Sequence, residues 1–306
     1  IASGDNHTVP GESDHGMMCV LSTGRGRAEI WQGLLARRTY GVSRSRMVID
    51  HTLNGAPMGA EISPGPAQFT LSLTAANAVD RVEFLKDNIL EKMIVHSGTW
   101  ERQPLPGRFA FKFEVEFGWG PETRLFPDAA LKVWEGSLQV PGHLMGVEKL
   151  WNSFGQQILE WRDDRCDFRL TTHRGTETGK WMGPSQVRRE SLVFEVEGGI
   201  DDVLTLTVDG EQYALPVRML LQGTRIYAQY SQCERRIIKK FGPTPHYRDD
   251  FIWHCAFKFR VRRAVPSPAY TLNESFTTTL DAGSQYRLRV WLKNGDAAWT
   301  SPIFCR

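Results

Sequence analysis

The chain has 306 residues, 41% of them hydrophobic and 24% charged, with ten Trp, so it has ample material for packed cores and room for about two or three domains. A net charge of +2 excludes a global field that would draw in nucleic acid or a membrane surface, and no apolar run reaches the roughly eighteen residues of a transmembrane helix. The five cysteines, Cys19, Cys166, Cys233, Cys255 and Cys305, are scattered, odd in number and without a Cys-x-x-Cys pair, which excludes a zinc ribbon and a small disulfide framework while leaving one or two disulfides open.

The first residues carry the recognisable metal-ligand chemistry. In Ser3-Gly4-Asp5-Asn6-His7 a strand ending at Ala2 would present Asp5 and His7 on the same side, because side chains alternate with period two. A carboxylate and an imidazole suit a divalent zinc, manganese or iron ion. Two ligands do not complete a zinc site, and the alternative is a turn in which Asp5 bonds nearby backbone and His7 meets solvent. Residues 8–26 read as loop, punctuated by Pro10, Gly11, Gly16, Gly24 and Gly26, with the apolar run Met17–Leu21 inside; His15 could approach the ion of His7 or be a loop histidine. Residues 27–38 predict an amphipathic helix with Ile30, Trp31, Leu34 and Leu35 on one face and Glu29 and Gln32 on the other. Arg37 and Arg38 fall in its last turn, where positive charge suits the helix dipole and where an arginine could also reach a phosphate. Tyr40 follows, either lining a site mouth or packing on the helix.

From Met47 the period is two. Met47, Ile49, His51 and Leu53 alternate up to the tight-turn pair Asn54-Gly55. After the hinge-like Ser63-Pro64-Gly65-Pro66, strands are expected at Phe69–Leu73, Val79–Phe84, Met93–Val95 and, most clearly, at the alternating phenylalanines 109 to 117. Residues 142–165 are ambiguous between helix and strand, and 174–186 read as loop. Strands return at Ser191–Val196, Val203–Val208, Ala214–Val217 and Ile226–Gln229, with Asp209-Gly210 as a hairpin turn. Phe251–Val261 predicts another strand, with His254 on its polar face; His246, Asp249 and Asp250 just before it are either a small metal cluster or a loop. The basic clusters Arg235-Arg236 with Lys239-Lys240, and Arg260 to Arg263, read as solvated strand ends and edges. Tyr286–Leu292 alternates to Asn294-Gly295, and Ala297–Phe304 gives a last strand.

In order, Gly4-Asp5-Asn6-His7, the Pro/Gly loop, the helix ending at Arg38, Thr39-Tyr40-Gly41 and Asn54-Gly55-Ala56-Pro57-Met58-Gly59 resemble the C-terminal end of the catalytic domain in large PHP-type (polymerase and histidinol phosphatase) metal-dependent phosphoesterases of a branch with β-rich C-terminal domains. The final Ala298-Trp299-Thr300-Ser301-Pro302-Ile303-Phe304 also resembles that branch. The resemblance implies Asp5 and His7 as ligands of a metal cluster that activates water for ester hydrolysis. It also implies an incomplete site: the family's His-x-His has no counterpart here and the chain starts at Ile, so the missing N-terminal part of the catalytic domain, or a second chain, would be the partner. The expected fold is mainly β, a remnant of an α/β metal-dependent hydrolase domain at 1–62 followed by an immunoglobulin-like β-sandwich at 63–125 and a second β-rich, sandwich-like domain at 126–306.

Three functions remain from the sequence: a C-terminal portion of a phosphoesterase-like hydrolase, inactive without its missing motifs; a non-catalytic β-sandwich module that binds carbohydrate or protein, with Trp119, Trp134 and Trp181 as stacking platforms; and a structural platform, compatible with a homo-oligomer. Neither nucleic acid nor membrane is expected as a partner.

Overall fold

A computed structural model of the chain describes residues 16–121, 123, 125–150, 156–173, 189–243 and 249–306. The described residues are mainly β, and they divide into two compact units: residues up to Pro106 together with Val265–Arg306, and Gly107–Ala264. This differs from the expected succession of 1–62, 63–125 and 126–306. Strand Thr39–Val42 pairs with Ala297–Thr300, and Met47–Leu53 pairs with Gly65–Ala75, so residues 39–62 share a β unit with the C-terminus. No division falls between 125 and 126, for a simple reason. Residues 108–117 of strand Arg108–Trp119 already pair with Glu190–Gly199, which commits the strand to the second unit.

The first unit is a two-sheet sandwich. Its larger sheet runs in the order 17–20, 39–42, 297–300, 285–292, 303–305, 61–62, with 79–86 on the other edge of 285–292 and 89–95 beyond it. The smaller sheet runs 271–280, 65–75, 47–53, 56–57. Alternation makes the core: Met47, Ile49, Phe69, Leu71 and Leu73 from one sheet meet Val82, Phe84, Tyr286, Leu288 and Val290 from the other. Phe69 and Phe84 touch edge to face with centroids 5.2 Å apart.

The second unit is built the same way from the sheets 157–161, 165–173, 131–139, 203–208, 211–216 and 143–150, 190–199, 108–119, 258–261, 225–228. The alternating phenylalanines are its core, and Phe117 packs on Trp134 at 5.1 Å and on Phe168 at 5.9 Å. The opposite face of that strand is also buried, which the alternation did not announce. Glu116 is 1% exposed and binds Arg260 at 2.5 Å, Arg262 at 2.8 Å and Arg189 at 3.3 Å. Burial alone would raise the Glu116 pKa. The Arg260 hydrogen bond and the charges of Arg262 and Arg189 outweigh it and hold the carboxyl below the usual range.

Three expectations are corrected here. Residues 249–255 are helical, and the strand starts only at Lys258. The stretch satisfies both periods, because Ile252, Cys255 and Ala256 also stand at i, i+3 and i+4; the Ala256 N–H donating to Ile252 O shows the helical one won. The basic residues 235–240 lie on a helix, Tyr230–Phe241, which buries Cys233 and Ile237 one turn apart. The helix Arg27–Leu35 leaves Ile30, Trp31 and Leu35 40%, 57% and 60% exposed and buries only Gly33, whose missing side chain allows close approach to Val20 and Leu21.

Candidate ligand-binding site

Asp5, His7 and His15 lie outside the described residues, as do His246 and Trp181. Among the described residues no group of three or more His, Cys, Asp or Glu converges to hold a metal ion, so these residues alone offer no ligand set for zinc, manganese or iron. Asp249 and Asp250 open the 249–255 helix, and His254 is exposed in its last turn. Trp134 is fully buried and spends its indole N–H on Thr172 at 2.8 Å, so it is core and no sugar platform. Trp119 lies under the guanidinium groups of Arg189 and Arg260, at 5.4 and 5.0 Å from its ring. Arg37, expected at a helix C-terminus or on a phosphate, instead donates to Gly59 O at 3.0 Å and pairs with Glu61 at 3.3 Å. All five cysteines are free.

The structure assembles a cavity elsewhere, on the outer face of the larger sheet of the first unit. Met18 stands opposite Gly41, Gly41 opposite Trp299, and Trp299 opposite Arg289. Side chains in one such row point the same way. Gly41 has none, so a gap opens between Met18 and Trp299. The next row holds Thr39 and Ser301, joined by the Ser301 N–H to Thr39 O bond at 2.9 Å and by their hydroxyls at 3.0 Å. Arg287 stands two residues before Arg289 on the same face. Together with Pro302 and the backbone of Tyr40 and Thr300, these residues line a cavity of about 370 Å3.

Two neighbouring arginines on this face have different fates. Arg289 is held by Glu83, which is 4% exposed and also accepts from Arg81 Nε at 2.9 Å. Arg287 Nε is buried with no hydrogen-bond partner among the described residues. A buried donor without a partner costs about 1–3 kcal/mol, and more when it is charged. Trp299 is 39% exposed and braced edge-on by Trp291 at 6.2 Å, which in turn sits beside Arg81 and Arg289 at 5.1 and 5.8 Å. The indole therefore stands at the cavity wall with Trp291 against one edge.

Beneath the cavity the groups are neutral. Burial pushes the Tyr40 phenol up; its hydroxyl donates to Met47 O at 2.8 Å. Burial lowers the His51 pKa to about 4, and its Nε2 lies 3.2 Å from Thr300 Oγ1, which also accepts the Leu288 N–H at 2.8 Å. The lining holds no Asp, Glu, Cys or His, and the Ser301 hydroxyl is paired with Thr39 rather than with a base. The arrangement offers one cation, two hydroxyls and an aromatic wall, which is equipment for binding. Sequence reading passed over Thr39, Arg287, Trp299 and Ser301 as site residues. The available signal was the alternation of 286–292, which places Arg287 on the face away from the core. No protein-family model, no curated protein and no solved structure matches the chain.

Proposed function

We propose that the first unit is a non-catalytic β-sandwich binding module that takes a small, negatively charged ligand in the Met18–Trp299 cavity. One observation carries this reading: Arg287 is the one cation among the lining residues and its Nε has no hydrogen-bond partner among the described residues, while Arg289, outside the lining, is held by Glu83. An anionic ligand would balance the Arg287 charge, and guanidinium is well suited to planar oxyanions. A fluorescence titration of the chain with matched anionic and neutral small molecules tests it. Anions bind more tightly than their neutral analogues, and Arg287→Gln removes the preference; equal affinity for both sets would refute the reading.

A second reading has one observation in its favour. The 27–35 helix exposes Ile30, Trp31 and Leu35, the residues that a PHP-type hydrolase domain would cover with parts supplied from elsewhere. In that case Asp5 and His7 would contribute ligands to a metal cluster completed by another segment or chain. Isothermal titration with zinc and manganese tests it: weak or no binding to this chain alone fits an incomplete site, whereas tight binding that survives Asp5→Ala with His7→Ala would place the ion on other residues.

A further inference from the structure

Resting on the binding reading above, we infer that the ligand is a hexuronate-type sugar, a hydroxylated six-membered ring carrying one carboxylate. The argument is a count of what the cavity offers. Its lining residues include one cation, Arg287, and no carboxylate; Arg289 lies outside the lining and is bonded to Glu83. A single positive charge matches a monoanion, and a phosphate dianion would bring in a second negative charge with nothing to meet it. No helix starts among the lining residues to help with that charge. A planar carboxylate also fits the guanidinium edge through parallel N–H···O bonds.

The two hydroxyls narrow the choice further. Thr39 and Ser301 share one hydrogen bond, so one of their protons is committed and the other is free, along with oxygen lone pairs. A purely aromatic or aliphatic carboxylate would leave these groups unused, whereas the ring hydroxyls of a sugar acid would meet Ser301 one strand from Arg287 and Thr39 two strands away. Trp299 supplies the third element. Its exposed, braced face can carry the apolar C–H face of a sugar ring, and Met18 across the Gly41 gap is a flexible apolar counterpart. The volume of about 370 Å3 lies at the small end of the roughly 300–1,000 Å3 typical of small-molecule sites, which suits one or two rings.

The test is calorimetric titration of the whole chain with D-glucuronate, D-glucose, glucose 6-phosphate and cyclohexanecarboxylate. The expected order puts glucuronate first, at least about tenfold tighter than glucose, since a hydrogen bond to a charged group is worth that much. Glucose 6-phosphate and cyclohexanecarboxylate follow. Arg287→Gln brings glucuronate to the level of glucose. Thr39→Val and Ser301→Ala weaken glucuronate and leave cyclohexanecarboxylate unchanged. Digalacturonate beside galacturonate separates a chain end from a free monosaccharide. If cyclohexanecarboxylate or the phosphate binds as tightly as glucuronate, and still through Arg287, the sugar inference falls while the anion-binding reading stands. If none of the anions binds, both fall.

Discussion

Acidification from pH 7.5 to 5 should weaken the first unit through His51 by about 2 kcal/mol. His51 is 2% exposed, its side chain is bonded among the described residues only to Thr300, and its pKa is lowered from 6.5 to about 4 by burial. Folding with a depressed histidine pKa means that the unfolded chain takes up the proton first. The stability is therefore fully present above pH 6.5 and is lost as the pH falls from 6.5 toward 4. At pH 5 the unfolded imidazole is 1.5 units below its own pKa, and at about 1.36 kcal/mol per unit this gives roughly 2 kcal/mol, with the full effect near 3 kcal/mol. The variant His51→Gln keeps an acceptor for Thr300 and does not titrate, so carboxylates elsewhere cancel in the comparison. Urea unfolding at both pH values, followed on amide signals of strand 285–292, should show wild type losing about 2 kcal/mol more than the variant. A histidine resonance for His51 that titrates near 6.5, or equal losses in the two proteins, would refute the buried neutral imidazole and the support it gives to Thr300 under the cavity.

Glu116→Gln should destabilise the second unit by about 3 kcal/mol or more, because it leaves three arginines facing a lost charge at a buried site, whereas Arg189→Gln at the exposed edge should cost under about 1 kcal/mol; denaturant midpoints of the two variants check the contrast. Gly59→Ala should be severe. Gly59 has φ +84°, and a Cβ there would lie 2.2 Å from Ala36 O, while Gly55→Ala, at φ +78° in open space, should cost only about 1 kcal/mol by thermal unfolding. Trp134→Ala should cost about 3–5 kcal/mol, since the ring is fully buried and its N–H bond to Thr172 is lost with it, which would show as a lowered midpoint for the second unit.

Much of the fold could be read from local pattern, because one-sided burial writes itself as alternation. The strands 47–53, 108–119 and 285–292 follow their hydrophobic stripes, and Asn54-Gly55 and Asp209-Gly210 turn with the positive φ that such pairs tolerate. Pairing between distant strands left no such trace. Thr39 and Ser301 meet across 262 residues, and only the register of four strands shows that Arg287 lacks the partner Arg289 has. The cavity therefore stayed hidden although Trp299, Ser301 and Pro302 stood in a stretch singled out for its likeness to a hydrolase C-terminus. The 249–255 helix was hidden for another reason: its residues satisfy two periods at once, and tertiary packing chose between them.

The most direct measurement is an amide and indole NMR map of the chain with a small carboxylate added stepwise. The binding account predicts saturable shifts at the Trp299 indole N–H and at Met18, Thr39, Gly41 and Ser301, all abolished in Arg287→Gln. Shifts confined to other exposed aromatic residues such as Trp31 or Trp161, or shifts at the cavity that survive Arg287→Gln, would contradict it.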